Sequence, residues 1–143
     1  RPKPKHPVQI AEEGPRVTLS NGLVSVALSS EPGPFIRSLE VGSHTVIAEN
    51  SRSEILLTDP SGKVLRASPL GFSIQVEERG PVTSTVRLNG RHRSRDGSEM
   101  LDFSIRFTLW ADRADLIMAH TFCNREPPAT GIVIAGRQRS VAR

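Results

Sequence analysis

Apolar residues recur along the chain in short alternating runs, the period-two pattern of strands with one buried face. No window sustains the 3.6-residue period of a helix; a single helical turn near Asp112 to Asp115 is the most the pattern allows. Residues 17–19 and 23–28 flank Ser20-Asn21-Gly22, where Asn-Gly suits a tight primed turn. Residues 55–58 and 64–67 flank Asp59-Pro60-Ser61-Gly62, with the proline placed to fix a turn's φ. Phe72, Ile74 and Val76 alternate with Ser73, Gln75 and Glu77 before Gly80-Pro81 breaks the chain. The expectation is an all-β fold, one compact barrel or sandwich of antiparallel strands.

Its most legible element is a long hairpin around Asp96-Gly97. Taking those two as the central turn residues fixes a register, which sets Leu88 opposite Ile105, Val86 opposite Phe107, Ser84 opposite Leu109 and His92 opposite Leu101. Polar positions match as well, Thr85 with Thr108 and Arg91 with Asp102. A slip of one residue would turn every core side chain toward water, so the agreement selects this pairing. The same register places Arg87 directly opposite Arg106, a repulsive pair that calls for an acid. Glu77, Glu78 or Asp115 can supply it; a bound carboxylate can too, because guanidinium forks match planar carboxylates. Trp110 falls on the polar face, where it can stack on a sugar, cover a domain interface or cap the sheet end. His92 falls on the apolar phase, as a packing residue.

Charge changes the picture less than the pI of about 10.2 suggests. Residues 1–7 carry Arg1, Lys3 and Lys5, and 137–143 carry Arg137, Arg139 and Arg143, with no acid in either stretch. The remaining 13 basic residues face all 15 acidic ones, so the body between the tails is net −2. A nucleic-acid surface needs a basic face on the folded domain, so no nucleic-acid partner is expected. The expected organisation is a flexible basic, proline-rich tail (1–7), one β domain (8–135) and a frayed basic C-terminal tail (136–143). No apolar run approaches the ~18 residues of a membrane span, so no membrane partner is expected from it.

Catalytic constellations are missing from the pattern. There is no phosphate-binding loop, dinucleotide fingerprint, His-x-x-x-His or paired cysteine, so no cofactor and no metal are expected. Cys123 and His120 lie within one apolar strand and read as structural. Adjacent pairs such as Glu12-Glu13 and Glu77-Glu78 point to opposite faces of a strand, so neither converges on one bond. What remains is a cationic set near the hairpin, Arg87, Arg106, Arg91 and Arg93, with Trp110 beyond; these five are the candidate substrate-binding residues, and Arg95 completes the basic run at the tip. The basic run 91–95 also reads as a solvated edge that discourages aggregation.

The strings Gly80-Pro81-Val82, Val86-Arg87, Gly90-Arg91-His92-Arg93, Asp96-Gly97, Leu101-Asp102-Phe103, Arg106-Phe107-Thr108 and His120-Thr121-Phe122 carry a resemblance. Together they resemble the N-terminal β domain, described as a RIFT barrel, of exo-rhamnogalacturonan lyase-like (YetA-like) proteins of polysaccharide lyase family 26. That resemblance implies an accessory domain of a pectin lyase-like protein, supporting or lining the cleft of a catalytic domain that this chain does not contain. It implies no lyase activity for the chain alone, a secreted or cell-surface setting, and no catalytic residue that can be assigned here. Two other readings stand beside it, an independent module for acidic oligosaccharides and an interaction domain without a ligand.

Overall fold

The computed structural model describes residues 2–49, 51–67, 70–123 and, by their backbone, 137–140. Among the described residues all strand pairings are antiparallel, and they form two sheets. The first is a meander of β1 (Gln9–Glu13), β2 (Arg16–Ser20), β3 (Val24–Ser29), β4 (Ile36–Val41) and β5 (His44–Ile47) in sequence order. The second runs in the order β11-β10-β9-β7-β6-β12, with β8 also on β9. Its members are β6 (Ser53–Thr58), β7 (Val64–Arg66), β8 (Ser73–Glu78), β9 (Thr83–Arg93), β10 (Glu99–Trp110), β11 (Leu116–Cys123) and β12 (Arg137–Ser140). The short β7 and the longer β8 follow one another along the same edge of β9.

The core lies between the sheets. Leu19, Val26 and Leu28 of the first sheet and Val86, Leu88, Ile105, Phe107 and Leu109 of the second are fully buried. Burying each such side chain contributes roughly 1.5–3 kcal/mol, which is why the alternating pattern decides the fold. Ser53 closes one side, its hydroxyl donating to the Ile36 carbonyl and accepting from the Ile36 amide, both at 3.2 Å. At another corner the buried Asn21 accepts from the Leu23 and Val24 amides and donates to the carbonyls of Trp110 and Arg113. The Asn-Gly turn is present there, with Gly22 at φ 81°. Its asparagine also joins the two sheets.

Along its arms the hairpin follows the expected register, from Asp102↔Arg91 to Trp110↔Thr83. Its tip differs. The Ser94 amide donates to the Ser98 carbonyl and the Gly97 amide to the Ser94 carbonyl, enclosing the three residues Arg95, Asp96 and Gly97. Gly97 adopts φ 88°, which a three-residue loop requires at that position. The longer loop moves the ladder by one, so His92 faces Met100 rather than Leu101. A bulge between Met100 and Asp102, with Leu101 at φ 53°, moves it back. Loop and bulge offset one another, and the arms keep the register that the sequence favours. The bulge also lets Leu101 bury against Leu57 and Leu65 in a second small core under the tip.

Several other expectations change. Asp112 stands in a turn at φ 59°, not in a helical turn. It anchors the N-terminal segment instead, since its carboxylate accepts from the His6 amide and its own amide donates to the His6 carbonyl. Of the stretch expected as a frayed tail, 137–140 pair with β6 as β12; Arg1, 124–136 and 141–143 lie outside the described residues. Cys123 ends β11 with its side chain exposed rather than within an apolar run.

Candidate functional site

Strand parity places Ser73 and Gln75 of β8, Thr85, Arg87, Asn89 and Arg91 of β9, and Asp102, Ser104, Arg106 and Thr108 of β10 on the outer face of the second sheet. Cross-strand rows follow from the register: Gln75, Arg87 and Arg106 form one, and Ser73, Asn89 and Ser104 the next. Beneath them Gly90 stands opposite Phe103. A Cβ on Gly90 would come 2.5 Å from Phe103 Cζ and 2.9 Å from Phe72 Cδ1, so only glycine leaves room for those rings.

The Arg87/Arg106 repulsion is relieved from within the chain. β8 has a bulge between Val76 and Glu78, which frees Glu77 from the ladder. Its Oε1 accepts from Arg106 Nε at 2.7 Å, and its Oε2 lies 3.6 Å from Arg87 Nη1. Arg87 Nε donates to Asn89 Oδ1 at 2.9 Å, an oxygen that also accepts from the Ser104 hydroxyl at 2.7 Å. Arg91 has the expected partner in Asp102 at 2.6 Å and a second in Glu99 at 2.9 Å. The Asp102 hydrogen bond, and then its charge, raise the Arg91 pKa above its ordinary value. A groove of about 680 Å³ runs over this face, with Arg87, Asn89, Arg91, Asp102 and Ser104 in its lining. Its arginines and carboxylates are committed to each other.

The remaining candidates lie elsewhere. Trp110, 39% exposed, occupies the opposite end of β10, with exposed Ile117 and Val82 nearby in the ladder. Arg93 is at the tip, beside a second cleft of about 660 Å³ that also involves Lys63, Val64, Arg66 and Arg95. Eleven β10 positions separate the tip pairing Glu99↔Arg93 from Trp110, roughly 35 Å of strand. The five candidates therefore occupy three places, not one site: Arg87, Arg91 and Arg106 in the groove, Arg93 at the tip, Trp110 at the far end.

The family model for the PcRGLX-like protein central beta sandwich domain matches residues 8–135. The chain belongs to that family. It is a domain of rhamnogalacturonan lyase-like proteins, and its two antiparallel sheets with the main core between them fit the description of a sandwich. The description places the domain centrally; an N-terminal position and a RIFT barrel, implied by the sequence resemblance, are not part of it. No curated protein matches the chain.

In this PcRGLX-like domain, sequence reasoning missed the part played by Asn89, Ser104 and Ser73, which knit three strands, and by Lys63 and Arg66 at the tip. Alternation within β8 and β9 does predict that Asn89 and Ser73 face outward. Nothing local brings β7 to the end of β9. His92 and His120 are legible as packing residues, ringed by Phe103 and Phe122. Burial lowers both imidazole pKa values, and the charge of His92 lowers that of His120 further.

Proposed function

We propose that this domain is an accessory module of a rhamnogalacturonan lyase-like protein, packing against a catalytic domain outside the chain, in the same polypeptide or another, and supporting its cleft. The observation that carries the proposal is the commitment of the outer-face groups. β-Elimination needs a base to remove the proton beside the uronate carboxyl. The groove's carboxylates, Asp102 and Glu99, are both engaged by Arg91, and Glu77 is engaged by Arg106. A face of matched charges over a hydrogen-bonded lattice suits a rigid wall. Trp110 and Ile117, exposed at the sheet end, suit a domain contact.

The test has two parts. The chain alone, incubated with rhamnogalacturonan, should release no unsaturated uronate measurable by ultraviolet absorbance. Mixed with the catalytic region of a family member, it should raise that region's melting temperature by mass action. Turnover by the isolated chain, or no thermal shift at saturating concentration, would overturn the proposal.

A further inference from the structure

The tip cleft is electrostatically different from the groove. Four cationic side chains meet there, Lys63, Arg66, Arg93 and Arg95. Asp96 is bridged to Lys63, which together with the Ser94 hydroxyl holds its carboxyl far below the usual range. Arg66 pairs with Glu54 at 2.6 Å. Glu99 stands opposite Arg93 in the ladder but gives its carboxylate to Arg91. Arg93 and Arg95 are left without an acidic partner among the described residues, and Arg93 faces Arg66 across the β7/β9 pairing. Two arginines without an acidic partner among the described residues line one cleft beside a third, an arrangement that favours an oxyanion by elementary electrostatics. The volume suits a small ligand, and Val64, 42% exposed, offers it an apolar surface.

We propose that the hairpin tip binds a carboxylate-bearing saccharide, its acid on Arg93 and Arg95 and a C–H face of its ring against Val64. Committing the anion to a saccharide rests on the accessory-domain reading; the anion site itself rests on the arginines alone. It lies at the end of β9 next to the groove, whose lining includes Glu99, the ladder partner of Arg93.

Calorimetric titration of the full chain separates these parts, with a galacturonate oligosaccharide, its methyl-esterified counterpart and an oligoglutamate of the same charge as probes. The galacturonate should bind, the ester should not, and Arg93→Ala and Arg95→Ala should each weaken binding about tenfold, the worth of one charge-assisted hydrogen bond. Raising the salt should weaken it as well. No binding at millimolar galacturonate, or unchanged binding by the double variant, overturns the site. Equal affinity for oligoglutamate overturns the saccharide and leaves the accessory role to be judged by the thermal shift.

Discussion

The arms and the tip of the β9–β10 hairpin are built from the same residue types on the same strand phase. Along the arms Arg87, Arg91 and Arg106 each meet a carboxylate; at the tip Arg93 and Arg95 meet none among the described residues. The difference comes from the neighbours. Beside the arms lies β8, whose bulge aims Glu77 at two arginines. Beside the tip lies β7, which contributes another arginine, Arg66, opposite Arg93. A cationic run is thus neutralised or left open by strands distant in sequence, and only the open part is poised to take an anion.

Phe103 supports both regions, and removing it should have the largest effect. It is 3% exposed and packs against Phe72, His92 and His120. Phe103→Ala should destabilise the domain by about 3–5 kcal/mol, read as a lower urea midpoint. A loss under about 1 kcal/mol would show that arms and tip do not share this foundation. Gly90→Ala should follow, at about 1–3 kcal/mol, since its methyl group must displace the Phe103 and Phe72 rings. If Gly90→Ala also flattens the outer face, amide chemical shifts should move at Asn89 and Ser104 while those at Arg95 and Asp96 stay in place.

Most of the core was legible because alternation is local: the phase that buries Val86, Leu88, Ile105 and Phe107 can be read from the chain. The arm register was legible for the same reason. The tip was not, because the cost of one more loop residue is offset by a bulge at Leu101, a trade that a buried pocket formed with Leu57 and Leu65 decides. Arg106 was a candidate for anion binding, with Glu77 among its possible partners. Choosing between those two depends on where a bulge in β8 points, which composition does not encode. Arg66 beside Arg93 depends on a pairing across the whole of β8 and its turns.

Glu77→Gln turns the arms into a copy of the tip. It keeps the shape but leaves Arg87 and Arg106 facing each other with no negative charge between them. These side chains are a quarter to two-fifths exposed, so the loss should be about 1 kcal/mol or less, and larger at low salt. The variant should also gain weak affinity for galacturonate at the groove, seen as new amide shifts around Arg87 on titration. A variant as stable as the parent at low salt would mean that the bulged carboxylate is not what distinguishes the arms.

Arg93→Ala should have the smallest effect on stability and tests the comparison from the other side. A paired arginine stabilises the fold through its acid, so deleting it leaves a carboxylate without its counter-charge. Arg93 has no such acid among the described residues, and its nearest ladder neighbour on β7 is Arg66. Deletion should therefore change unfolding free energy by no more than about 0.5 kcal/mol. Its sign should favour the variant at low salt, where relief of the Arg66 repulsion is least screened. Denaturant unfolding at two ionic strengths reads both quantities. A loss above about 1 kcal/mol that shrinks with added salt would mean that Arg93 is paired after all, and the tip would then be a second copy of the arms rather than their opposite.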